Sequence, residues 1–190
     1  MMSRSSTIAY RGFFTLEIVD TPVGRREVLR TTDSVVVLVH DVVNDRVLLV
    51  RQRRAAMATD ENPEGWITEA IAGRMDRGLP VRELIAQEAW EEAGVRLEPE
   101  QIELLNHGQP MAVTAGVTNE RSYLAYAPVR PEQIEAGEHP RGLSGEGEEI
   151  FRVFVPVSEL ETVVYEDVRV FALCQYLLRK RLASDGDRLA

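Results

Sequence analysis

The chain has 190 residues, of which 44% are hydrophobic, and carries a formal net charge of −9 at pH 7. This length suits one domain with a substantial core, and the negative charge argues against a protein that binds nucleic-acid backbones through a basic face. No segment approaches the run of about 20 apolar residues that spans a bilayer, and the first residues lack the apolar stretch of a secretory signal. We therefore expect neither a nucleic-acid nor a membrane partner.

The first part of the chain reads as strands. Residues 9–30 hold short apolar stretches broken by Pro22 and Gly24, a pattern typical of a strand pair or hairpin. Residues 34–42 form a nearly continuous run that is rich in β-branched side chains, and residues 46–50 repeat the pattern after a turn. Two runs joined so closely predict an antiparallel hairpin whose first strand is buried on both sides.

A loop and a helix follow. Residues 55–65 are polar and predict a loop, and residues 66–72 look extended. Pro80 then opens a helix, because its fixed φ suits the first turn. Gly94, a residue type that favours the left-handed conformation, closes that helix after Ala93.

The second half of the chain mixes strands with one long loop. Strands are predicted over residues 102–107, 111–113, 121–127 and 150–157, and residues 131–149, rich in Gly, Pro and Glu, predict a long mobile loop. An amphipathic helix over residues 167–182 closes the chain and carries the only cysteine, Cys174. A lone cysteine forms no internal disulfide, so we interpret Cys174 as a core residue of a cytoplasmic protein.

Three acidic residues of the first predicted helix are the most informative. Spacings of three and four residues put Glu88, Glu91 and Glu92 on one side of that helix. Two carboxylates about 4 Å apart repel by about 4 kcal/mol at an effective dielectric constant of about 20. Two explanations stay open at this point: a face that is simply solvated or paired with basic residues elsewhere, or a divalent cation such as Mg²⁺, which prefers oxygen ligands.

The surroundings of these glutamates resemble the sequence box of the Nudix hydrolases. In that box a glycine is followed, at fixed spacing, by a glutamate, an Arg-Glu pair, an apolar residue, a Glu-Glu pair, a glycine and an apolar residue. The matching residues here are Gly73, Glu88, Ala89, Glu91, Glu92, Gly94 and Val95. Two positions depart: Leu79 stands where the box has its first glutamate, and Gln87 stands where it has the arginine.

The resemblance implies a fold and a metal site. It implies an α/β fold of the α+β type, in which a mixed β-sheet is sandwiched between helices. It also implies that Glu88, Glu92 and the backbone carbonyl of Ala72 bind Mg²⁺, or Mn²⁺ as an alternative, and that Glu91 is a ligand or orienting group with a catalytic role. Gln87 can hydrogen-bond but brings no charge to brace the glutamates.

Residues outside the box resemble the branch of ADP-ribose and GDP-mannose pyrophosphatases, over about residues 10–182. Arg51-Gln52-Arg53-Arg54 resembles the Arg-Gln-aromatic-Arg segment of that branch, with Arg53 in the aromatic position, and Glu69 begins its Glu-x-x-Ala-Gly pattern. The resemblance implies that the substrate is bound by Arg54, Arg51, Glu69 and Glu120. Arginine's planar fork suits phosphate oxygens, but the residues alone equally allow solubilising arginines at a strand end and surface glutamates.

An acidic stretch, residues 145–149, lies just before the last predicted strand. Such a stretch is usually only solvated. The resemblance implies instead that Glu146 is the general base and that Glu148 contacts the metal, with the glycines of this stretch letting the loop move.

The implied activity is the Mg²⁺-dependent hydrolysis of a nucleoside diphosphate sugar to a nucleoside monophosphate and a sugar phosphate. The alternative, which Leu79 and Gln87 support, is a catalytically weak or inactive module that binds a nucleotide metabolite and regulates a partner. The resemblance also implies a homodimer. We divide the chain into a dimer-forming strand region, residues 1–32, and a hydrolase domain, residues 33–190.

Overall fold

The chain forms two β-sheets and two α-helices over the residues that the computed structural model describes, 5–142 and 149–186. The helices are α1 (Val81–Ala93) and α2 (Val168–Gly186). The smaller sheet comes from the N-terminal region and the larger one from the rest of the chain.

The smaller sheet is an antiparallel meander of β1 (Ser6–Arg11), β2 (Thr15–Thr21) and β3 (Gly24–Arg30). The sequence predicted only one strand pair here. The extra strand arises because the chain reverses within the apolar stretch after Arg11, where the Gly12 N–H donates to the Phe14 carbonyl oxygen over 2.9 Å. Every residue of β1 is exposed.

The larger sheet is mixed, because β10 runs parallel to β4 while the other pairs are antiparallel. Its central order is β11-β5-β4-β10-β8, and β6, β7 and β9 pair with β5, β4 and β10 respectively. The strands are β4 (Ser34–Asp41), β5 (Arg46–Arg53), β6 (Trp66–Glu69), β7 (Ile71–Arg74), β8 (Glu103–Leu104), β9 (Met111–Ala112), β10 (Arg121–Val129) and β11 (Phe151–Pro156).

Strand β4 lies between two hydrophobic cores, and all of its residues are buried. Val35 and Val37 belong to the core that contains the apolar residues of α1, whereas Val36 and Leu38 belong to the core that contains those of α2. Successive side chains of a strand point to opposite faces, so the two helices cover opposite faces of the sheet. The predicted two-sided burial and the predicted sandwich of a mixed sheet between helices are confirmed.

Cys174 is one of the core residues on the α2 side, as predicted. Burial raises the pKa of its thiol to about 11. Across the described ranges, no helix has the length and the apolar character needed to cross a membrane.

The second half of the chain is less regular than its pattern predicted. Strand β8 has only two residues, because Asn106 and His107 take positive φ values of 51° and 53° and bend the chain out of the sheet. The segment predicted as a long loop is partly paired: Ile134 bridges to Val95, and Arg141 bridges to Ile150. Residues 143–148 of that segment, with Glu146 and Glu148, lie outside the described residues.

Both ends of α1 follow the predicted signals. Pro80 precedes its first turn, and Gly94 ends it in the left-handed conformation with φ 64°. A Cβ atom at Gly94 would lie 2.7 Å from the Arg141 guanidinium, so both the backbone angle and the available space require glycine here.

We expect Gly94→Ala to lower the free energy of unfolding by about 1–2 kcal/mol, because alanine is strained at positive φ and its methyl group would displace Arg141. Urea denaturation would measure the change. The matched control is Gly116→Ala, where an added Cβ meets open space. Equal stability of the two variants would contradict this account of the end of α1.

Candidate active site

A cavity of about 640 Å³ opens where β7, the second half of α1, the beginnings of β4 and β10, and the beginning of α2 meet. Seven residues that the sequence predicted for the site line this one cavity, although they are spread over almost 70 positions of the chain: Arg54, Glu69, Ala72, Glu88, Glu91, Glu92 and Glu120. The fold therefore brings most of the predicted site together.

Three predicted residues are not among those that line the cavity. Arg51 lies on the exposed side of β5, with its guanidinium carbon 5.7 Å from the centroid of the Trp66 ring. Glu146 and Glu148 lie outside the described residues. The residue that precedes their segment, Gly142, does line the cavity, and its N–H donates to the Glu91 carbonyl oxygen over 3.4 Å.

The backbone of β7 holds two of the helix carboxylates. Glu92 accepts a hydrogen bond from the Ala72 N–H over 3.1 Å, and Glu88 packs so closely on Gly73 that a Cβ atom there would overlap its carboxylate. Both glutamates are buried. The first glycine of the box is therefore needed for a close approach between strand and helix.

The oxygen donors along β7 and α1 fit a hard divalent cation. Within residues 5–142 and 149–186, no three Asp, Glu, His or Cys side chains form a complete metal-binding cluster. Mg²⁺ does not need one, since it usually takes one or two carboxylates and completes its shell with water and substrate phosphates. Glu88, Glu92 and the neighbouring Ala72 carbonyl suit that role.

Glu91, the third carboxylate, has side-chain partners instead of backbone ones. Gln87 donates from Nε2 to Glu91 Oε1 over 2.6 Å, and Arg77 donates from Nη1 to Oε2 over 3.2 Å. The hydrogen bond to Glu91 raises the pKa of the Arg77 guanidinium above its ordinary value, against the opposing effect of desolvation. Arg77 stands at a position that the box leaves unspecified, so no motif marks it.

Leu79, the other departure from the box, packs against the core beneath α1 as a partly buried side chain. An apolar residue at this position stabilises the base of the helix through burial. The position therefore supplies packing where the box has a carboxylate.

A second cluster of charges lies on the wall formed by β5, β6 and α2. Glu69, only 5% exposed, accepts from Arg54 Nε at its Oε2 over 2.7 Å and from Arg169 Nη2 at its Oε1 over 3.2 Å. Arg169 also donates to Asp167 over 2.6 Å. One buried carboxylate thus holds two guanidinium groups beside the cavity. Sequence reasoning missed Arg169, which lies 100 positions after Glu69 in a segment without any motif.

Glu120 lies beside the beginning of β10. Its Oε1 accepts from the Ser34 hydroxyl over 2.8 Å, and that hydroxyl is 2.6 Å from the Ser122 hydroxyl. Ser34 and Ser122 are paired across the parallel strands β4 and β10. The position of Glu120 at the cavity therefore depends on the register of these strands.

An aromatic pair at the tip of the β1–β2 turn forms part of the cavity rim. Phe13 and Phe14 both line the cavity, and the Arg74 guanidinium carbon lies 4.2 Å from the centroid of the Phe13 ring. Phe13 is 78% exposed. The sequence showed this aromatic stretch but had no signal that would place it near the box.

We expect Glu69→Gln to lower the free energy of unfolding by about 1–2 kcal/mol, because a neutral amide leaves the two arginine charges partly uncompensated. Urea denaturation would measure the loss. The control is Glu64→Gln, which alters an exposed carboxylate 3.6 Å from Arg53 Nε and should change stability by less than about 0.5 kcal/mol. Equal effects would show that Glu69 is an ordinary surface ion pair.

Comparisons with known proteins identify a family for this chain. Residues 30–174 match the family described as the NUDIX domain. An ADP-ribose pyrophosphatase of Escherichia coli (strain K12) is 33% identical over 152 residues, which cover 74% of this chain and 68% of the relative. A GDP-mannose pyrophosphatase of Cronobacter sakazakii is 32% identical over 157 residues, covering 80% and 77%.

A uridine diphosphate glucose pyrophosphatase of Bos taurus is 28% identical over 160 residues, which cover 70% of each chain. The resemblance that the box and the flanking segments predicted is thereby confirmed, including its ADP-ribose and GDP-mannose branch. The spacing of the box, the packing of its glutamates on β7 and the match over most of the chain lead to one conclusion: this protein belongs to the Nudix family.

Proposed function

We propose that this protein hydrolyses the diphosphate bond of a nucleoside diphosphate sugar, in a reaction that depends on Mg²⁺. The observation that carries the proposal is the cavity itself, in which buried carboxylates on α1 share one space with the Arg54–Glu69 pair. A diphosphate needs cations on one side and hydrogen-bond donors on the other. The names of the relatives, which are all pyrophosphatases of nucleotide sugars, support the same substrate class.

In this proposal Glu88, Glu92 and the Ala72 carbonyl hold the divalent cation, either Mg²⁺ or Mn²⁺. When bound, the cation neutralises phosphate charge and makes a nearby water more acidic. The close packing of Glu88 and Glu92 on β7 keeps their carboxylates in place before the substrate arrives.

The substrate-binding residues proposed are Arg54, Glu69 and Glu120, with Arg51 as a further candidate. Arg54 donates hydrogen bonds to the diphosphate, and Glu69 orients it through the 2.7 Å ion pair. Glu120 accepts a hydrogen bond from a substrate hydroxyl or amine.

The proposed reaction is an in-line attack of water on one phosphorus atom. A bond forms between the water oxygen and phosphorus, the bond from phosphorus to the bridging oxygen breaks, and Glu146 takes the proton of the water. Glu91 orients the reacting groups, and Glu148 contacts the cation. The products are a nucleoside monophosphate and a sugar phosphate.

A second candidate function is a module that binds a nucleotide metabolite without turning it over and regulates a partner. Two observations favour it: Leu79 packs into the core and Gln87 is neutral where the box has charged residues. Calorimetry that detects ligand binding, with no product in chromatography, would support this function over hydrolysis.

We also propose a homodimer formed by residues 1–32. The β1 strand is exposed along its whole length, and Ile8 and Tyr10 expose 48% and 64% of their surface. A three-stranded sheet with so little buried surface gains stability when its exposed face packs on a second copy.

We expect Glu92→Gln to lower kcat by about a hundredfold or more on whichever nucleotide sugar the protein hydrolyses, because the cation loses a charged ligand. The assay is product chromatography over a panel of ADP-, GDP- and UDP-sugars, with and without Mg²⁺. The matched control is Glu83→Gln, an exposed glutamate in the first turn of the same helix. No turnover of any diphosphate, or full activity of Glu92→Gln, would refute the proposed function.

We expect light scattering to give the mass of two chains, and the variant Ile8→Lys to shift the protein toward one chain by placing a charge in the interface. Val164→Lys is the control, since Val164 is 88% exposed and lies outside residues 1–32. A monomeric wild type, or a dimer that Ile8→Lys leaves intact, would contradict the proposed interface.

A further inference from the structure

We propose that Arg77 is a positioning residue. From the loop between β7 and α1, it supplies the positive charge that the arginine of the Nudix box would supply at the position of Gln87. This inference rests on the proposed function, because it assigns a role to Arg77 toward the carboxylates of that site. It concerns a residue that the box leaves unspecified.

The contacts of Glu91 carry the first step. Arg77 Nη1 lies 3.4 Å from Oε1 and 3.2 Å from Oε2, so the guanidinium spans both carboxylate oxygens. Gln87 adds a neutral hydrogen bond over 2.6 Å from the preceding turn of the helix. The two donors together restrict both oxygens of one carboxylate, as an arginine at position 87 would restrict them with its single guanidinium group.

The loop that carries Arg77 is held at both sides. Met75 packs against the core and donates its N–H to the Asp33 carbonyl oxygen over 2.9 Å, and Leu79 packs against the same core. Gly78, with φ 70°, lets the chain turn between Arg77 and Leu79. The loop therefore presents Arg77 to the helix while Leu79 enters the core.

The charge balance of the helix face carries the second step. Glu88, Glu91 and Glu92 repel one another, and the neutral Gln87 does not offset this repulsion. Both Arg77 and Glu91 line the cavity, and the side chain of Glu91 is only 19% exposed. A cation in this position lowers the repulsion and holds Glu91 in one orientation toward the cavity.

The test measures the affinity of the substrate-free protein for Mn²⁺ by calorimetry. If Arg77 only lay near the metal site, its positive charge would repel the metal, and its removal would tighten Mn²⁺ binding. If Arg77 instead holds the carboxylates of this helix face in place, its removal has the opposite effect. We therefore expect Arg77→Ala to weaken Mn²⁺ binding by about fivefold, the upper end for a partly exposed ion pair, and to lower kcat with the KM for the nucleotide sugar almost unchanged.

Rescue makes the test specific. Adding Gln87→Arg to the Arg77→Ala variant should restore the Mn²⁺ affinity to within about twofold of wild type, because the charge returns from the adjacent turn of the helix. Arg77→Lys, which keeps the charge, should retain most of the affinity. Thermal unfolding confirms that each variant is folded before binding is compared.

The control is Lys180→Ala on α2, which removes the same charge from an ion pair with Glu103 of β8 and should leave Mn²⁺ binding unchanged. Tighter or unchanged binding in Arg77→Ala, or failure of Gln87→Arg to rescue it, would overturn the inference. A wild type that binds Mn²⁺ but hydrolyses nothing would refute the proposed function alone, since the binding comparison would still decide the role of Arg77.

Discussion

Repulsion between the carboxylates of α1 is the constraint on which the rest of the site depends. Each carboxylate has different contacts: Glu88 packs against Gly73, Glu92 accepts a hydrogen bond from the Ala72 N–H, and Glu91 accepts hydrogen bonds from Arg77 and Gln87. Two of these contacts are with the backbone of β7. Strand β7 and helix α1 therefore form one packing unit.

On α1 several carboxylates lie close together, whereas around Glu69 two guanidinium groups do. Both Arg54 and Arg169 form ion pairs with this one buried carboxylate. At the cavity, Glu91 is thus paired with Arg77, and Glu69 is paired with Arg54 and Arg169. This pairing explains how a chain with a net charge of −9 presents both acidic and basic groups to one small space. A diphosphate with its cation matches that pattern of alternating charge.

The sequence was most informative where function needs fixed local spacing. The three glutamates of the box lie on one helix between Pro80 and Gly94, so their periodicity alone predicted the shared face. Arg77 and Arg169 were not predictable, because Arg77 contacts Glu91 from a tight loop and Arg169 contacts Glu69 from 100 positions further along the chain. The short β8 strand shows the same limit, since two residues with positive φ ended a run that looked extended.

Strand β4 has a consequence for how this protein can change over evolution. Along its length it pairs Val36 with Ala72 on one side and Ser34 with Ser122 on the other. Because its side chains alternate between the two cores, a one-residue insertion would exchange them and also shift β7 against Glu120. Changes in chain length are therefore confined to the turns and loops outside β4. Because β4 pairs with both β7 and β10, it fixes the distance between Ala72 on one side of the cavity and Glu120 on the other.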